Sequence, residues 1–117
     1  MKMQKSPPEL VATFDRVFPD DPRAQKRPMF GYPAGFVNGN MFAGLYENNL
    51  VLRLSERERE ELQTRHGAEP FEPMGRLMTG YVALSQEKLK DDALLRSWLE
   101  RALEHGARLP PKQPKRR

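Results

Sequence analysis

Pro28-Met29-Phe30-Gly31-Tyr32-Pro33-Ala34-Gly35-Phe36-Val37-Asn38-Gly39-Asn40-Met41-Phe42-Ala43-Gly44-Leu45-Tyr46-Glu47-Asn48-Asn49-Leu50-Val51-Leu52-Arg53-Leu54 is the stretch that decides the fold. Two apolar runs flank Asn38-Gly39-Asn40, whose residue types accept the positive φ of a tight hairpin, and Asn48-Asn49 supplies a second turn ahead of Leu50. Strands are expected near Met29 to Tyr32, Gly35 to Asn38, Met41 to Tyr46 and Leu50 to Leu54, joined as an antiparallel meander. In the last of these, Leu50, Leu52 and Leu54 share one face and Val51 and Arg53 the other, the alternation of a sheet covered on one side. Gly31, Gly35 and Gly44 interrupt strand-like sequence, as bulges, bends and close backbone approaches do.

Toward the N-terminus, Ser6-Pro7-Pro8-Glu9 has the spacing of a capping box with proline in the first turn. It predicts a helix that carries Leu10, Val11, Phe14, Val17 and Phe18 on one face and stops at Pro19. Asp20 to Arg27 reads as a polar connector with a basic cluster at Arg23, Lys26 and Arg27.

On the C-terminal side, Ser55 and Glu58 form a second capping box. The helix it opens is charged from Glu56 to Arg65, has Leu62 as its one clear apolar residue and ends at Gly67. Pro70, Pro73 and Gly75 mark a loop, and Leu77 to Leu84 reads as a fifth strand. Asp91 or Asp92 caps a last helix with Leu94, Leu95, Trp98, Leu99, Ala102 and Leu103 at three- and four-residue intervals, ended by Gly106. The fold class is therefore α+β: an antiparallel meander of about five strands with N-terminal and C-terminal helices packed on it, over residues 1–107. Residues 108–117 read as a basic, proline-rich, extended tail.

The 117 residues suit one domain, with 38% apolar and 31% charged residues. Cysteine is absent, which removes disulfides, thiolate metal sites and cysteine nucleophiles. With no signal-peptide pattern and no apolar run of membrane-span length, the expectation is a cytoplasmic protein without membrane contact. The formal charge of +4 is uneven: of 20 basic residues, five lie in the tail without an acid, leaving fifteen against 16 acidic residues in the rest. The body is close to neutral, and the basicity belongs to Arg108, Lys112, Lys115, Arg116 and Arg117.

Met29-Phe30-Gly31, the Gly39 turn, Met41-Phe42-Ala43 and Leu50-Val51-Leu52-Arg53, followed by Glu69-Pro70-Phe71, Gly75-Arg76, Tyr81 and Leu94-Leu95-Arg96-Ser97-Trp98-Leu99, resemble in that order the N-terminal domain of the TfoX/Sxy family. The resemblance covers roughly Leu10 to Gly106 and departs from the usual glycine pair at Tyr32. It implies an α+β domain. In bacterial members that carry a second, helical domain it implies positive regulation of DNA-uptake competence genes together with the cyclic-AMP receptor protein. The sequence is closer to stand-alone members, for which the resemblance implies no catalytic residue.

The chemistry-bearing residue types support the same restraint. His66 and His105 each fall in a helix's last turn, where the dipole favours positive charge, and neither has a ligand partner at metal spacing. Asp20-Asp21 and Asp91-Asp92 suit helix caps. Gly31 to Gly35 lacks the lysine and hydroxyl of a phosphate loop. Phe30, Tyr32, Phe36, Phe42, Tyr46 and Tyr81 are assigned mainly to the core, as are Met29, Met41, Met74 and Met78, whose thioethers also suit an adaptable partner face.

The expected function is a non-enzymatic, cofactor-free macromolecule-binding domain acting through a protein partner, with Tyr32, Pro33, Arg53 and Arg76 as candidate partner surface. The tail cations are candidates for weak nonspecific nucleic-acid contact, and homodimerisation through a strand edge is left open. The alternatives are a small enzyme or anionic-ligand site against the sheet, using Arg53 or Arg76, and direct nucleic-acid binding by the body of the domain.

Overall fold

The computed structural model describes residues 4–111. Helix α1 (Pro8–Val17) leads into β1 (Gln25–Met29), β2 (Tyr32–Val37), β3 (Asn40–Tyr46) and β4 (Asn49–Arg53). Helix α2 (Glu56–His66) follows, then the short β5 (Glu69–Pro70), β6 (Tyr81–Ser85) and helix α3 (Asp92–Arg108). The strands form one antiparallel sheet in the order β1-β2-β3-β4-β6-β5. The α+β meander stands, with six strands instead of five.

Local chemistry explains most elements. Ser55 and Glu58 close their capping box on α2, and Gly67 ends that helix at φ 74°, where glycine escapes the Cβ clash of left-handed backbone. The Asp91 side chain accepts from the Leu94 N–H at the start of α3. At α1 the expected Ser6 cap does not form: Pro7 holds the cap position and its carbonyl accepts from the Leu10 and Val11 N–H groups. Proline at the first helical positions needs no N–H partner, so the helix starts without a hydroxyl.

The meander is shifted by several residues from its expected register at its first strand. β1 takes in Gln25, Lys26 and Arg27, read above as connector, and the chain turns at Phe30-Gly31. A charged edge strand whose residues are nearly all exposed has no apolar alternation to betray it. Pro28 and Pro33 face each other across this hairpin. The next turns hold Asn38 and Gly39, then Glu47 at φ 53°, one residue earlier than Asn48-Asn49 suggested. The fifth expected strand is confined to Tyr81–Ser85, because Leu77 to Gly80 belongs to the preceding loop.

One face of the sheet carries α1 and α3. Leu10, Phe14, Val17, Phe42, Leu50, Leu52, Leu54, Trp98, Leu99 and Leu103 are buried in that layer. Two glycines let it close tightly. A Cβ at Gly35 would lie 2.7 Å from Phe18 Cε1 and 2.9 Å from Phe42 Cζ, and one at Gly106 would lie 2.7 Å from Val37 Cγ1. Gly106 is thus a packing residue inside α3 and not its terminator: the helix runs to Arg108, and the Asn40 side chain donates to the Pro110 carbonyl beyond it. Arg108 consequently belongs to the helix; Lys112, Lys115, Arg116 and Arg117 lie outside the described residues.

Candidate functional site

The second face of the sheet has no helix on it. Alternation along β2, β3 and β4 turns Tyr32, Ala34, Met41, Gly44, Tyr46 and Val51 to this side. A bulge between Gly35 and Phe36, opposite Phe42, keeps Phe42 on the helix side while Met41 points away. The loop Phe71–Met78 partly covers this face, held by the Phe71 N–H to the Tyr81 carbonyl and the Met78 N–H to the Phe71 carbonyl.

What the loop leaves open is a groove of about 350 Å³. Small residues, Ala34 and Gly44, form its floor, and Met29, Met41, Met74 and Met78 line its sides with Phe30, Phe71 and Pro73. Tyr32, Tyr46, Phe71 and Tyr81 pack edge-on or tilted in series, with ring centroids 5.4 to 6.4 Å apart. The Tyr32 hydroxyl donates to the Gln4 carbonyl and the Tyr81 hydroxyl to the Met41 carbonyl, 3.1 Å away. Burial raises the pKa of both tyrosines, which stay neutral donors.

The lips of the groove are apolar side chains in solvent. Phe30 is 82% exposed and Met74 77%, with Met78 at 37%. Phe30 and Met74 also have φ of 54° and 55°, a region that bulky residues seldom occupy and that glycine or asparagine would take at lower cost. Two large apolar groups are therefore held out into water on backbone that penalises them.

The candidate partner residues are placed unequally. Tyr32, assigned above both to the core and to the candidate partner surface, is only 6% exposed and belongs to the groove floor: β2 begins at Tyr32 and turns the ring inward. Pro33 is half-buried beside it. The Arg53 guanidinium lies 5.5 Å from the Tyr81 ring centroid, and Arg27 lies 4.1 Å from that of Phe36. Arg76 is exposed between Met74 and Met78. Neither Arg53 nor Arg76 lines the groove or the larger concavity beside it, so these residues do not converge on an anionic ligand there.

Core packing accounts for Phe36 and Phe42, and half-burial for Tyr46 and Tyr81, whereas Phe30 is the exception. Of the methionines, Met29 and Met41 are half-buried, while Met74 and Met78 are exposed. Phe71 was missed as a site residue, and Phe30 and Met74, named above among the aromatics and methionines, were not placed in the candidate partner surface. The available signals were a Phe-Gly pair between two prolines and Pro73-Met74-Gly75, both turn sequences with a large apolar residue where a small polar one is usual.

The polar clusters are structural in geometry. Asp21 and Glu104 both hold Arg23, Asp92 holds Arg16 and Asp15 holds Lys26; the guanidinium partners keep the Asp21, Asp92 and Glu104 carboxyls below their usual range. Burial lowers the pKa of His105, against the positive charge expected from its place near the end of α3, and His66 lies 6.2 Å from the Trp98 ring. Among the described residues no group of three or more His, Cys, Asp or Glu could hold a metal ion, and no helix is long and apolar enough to cross a membrane.

Among known families, the model of the TfoX N-terminal domain matches residues 18–106. A search of curated proteins finds no match.

Proposed function

We propose that this chain, which belongs to the TfoX N-terminal domain family, is a non-enzymatic protein-binding domain. Its groove on the helix-free face receives an apolar segment of a partner. The observation that carries this reading is the pair of exposed, left-handed residues, Phe30 and Met74, at the mouth of a methionine-lined groove. Solvent-exposed apolar groups on penalised backbone gain nothing in the isolated domain and gain burial when a partner covers them. Methionine suits such a surface because its unbranched, polarisable side chain repacks around different shapes.

The context that the family supplies is regulation of transcription and competence, and a docking domain fits that role without reading DNA itself. The ion pairs that involve α1, α2 and α3 spend several cations on internal carboxylates, which weakens the case for a continuous basic face. The rings of the second face are mostly covered, so they offer little open surface for base stacking.

The test is site-specific photocrosslinking in cells that natively express the protein, with a photoreactive amino acid at Met74 or, as control, at Arg57, exposed on α2. A discrete protein adduct from position 74, absent from position 57 and lost when Phe30→Asp is added, is expected. Equal adducts from both positions, or adducts to nucleic acid alone, overturn the reading.

A further inference from the structure

The groove is electrically polarised along the strands. Past one end, outside the groove lining, the ladder register places Arg53, stacked on Tyr81, and Arg27, stacked on Phe36, whose strand neighbour across the ladder is Met41. Neither arginine has a carboxylate partner among the described residues, in contrast to Arg16, Arg23, Lys26 and Arg101 around the helices. At the other end β3 finishes at Tyr46 and β4 begins at Asn49, and there Glu47, Glu69, Glu72 and Glu87, against the single cation Lys88, whose ammonium donates to the Gly67 carbonyl, surround a concavity of about 640 Å³. Tyr46, Phe71, Pro73 and Met74 line both spaces, so the apolar groove runs on into the acidic end.

The occupant's backbone is constrained as well. The groove lies on the face of the sheet, where no strand N–H or C=O is free, so a bound segment pairs by side chains alone and must satisfy its own backbone. That requirement selects a helix over an extended peptide. We infer that the groove binds an amphipathic helix of a partner protein, its apolar stripe over Ala34 and Gly44, its carboxylates toward Arg27 and Arg53, and its cations toward Glu47 and Glu72.

This inference rests on the docking reading above and adds the charge order. Its test uses the full chain and two labelled helical peptides of identical composition. One has leucines at i, i+3, i+4 and i+7 with glutamates in its N-terminal turn and lysines in its C-terminal turn, the order the helix dipole itself favours. The other keeps the leucines and scatters the charges.

In fluorescence anisotropy at low salt the ordered peptide binds roughly tenfold more tightly, from a few exposed charge pairs, and high salt removes most of the difference. Arg27→Glu, at an exposed position, lowers the preference for the ordered peptide without affecting the fold, and Arg53→Glu does the same if Tyr81 stays packed. Equal binding of both peptides overturns the charge order and leaves groove docking standing. Binding of neither overturns both, as does tighter binding of a single-stranded oligonucleotide that the groove variant Phe30→Asp abolishes.

Discussion

Phe30→Asn combined with Met74→Asn should stabilise the domain and abolish partner binding. Both positions lie at positive φ, 54° and 55°, where a bulky L-residue is penalised by about 1 kcal/mol and asparagine much less. Position 30 followed by Gly31 then becomes Asn-Gly, the pair preferred where both central residues of a hairpin turn have positive φ. Against this stands the apolar contact forfeited. With Phe30 82% and Met74 77% exposed, and full burial of such a side chain contributing about 1.5–3 kcal/mol, each loses about 0.5 kcal/mol.

The net is a gain of about 0.5 kcal/mol per site and about 1 kcal/mol together, a rise in Tm of about 4 °C for a domain of this size. Urea unfolding of the parent, the single variants and the double variant measures it, and peptide anisotropy measures the accompanying loss of binding. A double variant destabilised by 1 kcal/mol or more, or one that still binds the ordered peptide like the parent, refutes the reasoning. The first result would mean that these side chains hold the fold together, the second that the groove mouth is not the contact.

Gly106→Ala gains about 1 kcal/mol in helix propensity, yet its Cβ meets Val37 Cγ1 at 2.7 Å, and overpacking a buried β-branched neighbour costs about 1–3 kcal/mol. Net destabilisation in urea unfolding is expected, and net stabilisation counts against the close approach of α3. Burial depresses the His105 pKa, so the unfolded chain takes up that proton first and stability falls as pH drops from about 7 toward about 5, levelling below the folded pKa. His105→Gln should flatten the Tm in that window, and an unchanged slope would contradict the assignment. Truncation after Pro111 removes Lys112, Lys115, Arg116 and Arg117 and should remove most of any salt-sensitive DNA binding by the full chain; undiminished binding would place a nucleic-acid surface on the body.

The legible parts of the fold were those where local chemistry and tertiary environment agree. Asn38-Gly39, the Ser55–Glu58 capping box, the Gly67 stop and the stripe from Leu94 to Leu103 each carry their cause within a few residues. β1 was hidden because an exposed edge strand needs no alternation, and its charges read as a connector. Gly106 looked like a terminator because sequence gives no sign that Val37, far along the chain, comes close to it.

The site was legible only in its materials. The methionines and Arg53 stood out, whereas the groove depends on a loop folding back from Phe71 and on Phe30 turning outward. Both require backbone that such residues usually avoid, and propensity therefore points the other way. Tyr32, read both as core and as partner surface, is buried, because the hairpin register places it one residue past the turn.

The most direct measurement is a methionine-methyl NMR spectrum of the full chain, selectively labelled at the methionine ε-carbons, titrated with the charge-ordered helical peptide. The account predicts that the signals of Met29, Met41, Met74 and Met78 shift together and saturate with one affinity. It is contradicted if the four groove methyls stay in place as the peptide binds, or if they respond to an oligonucleotide and not to the peptide.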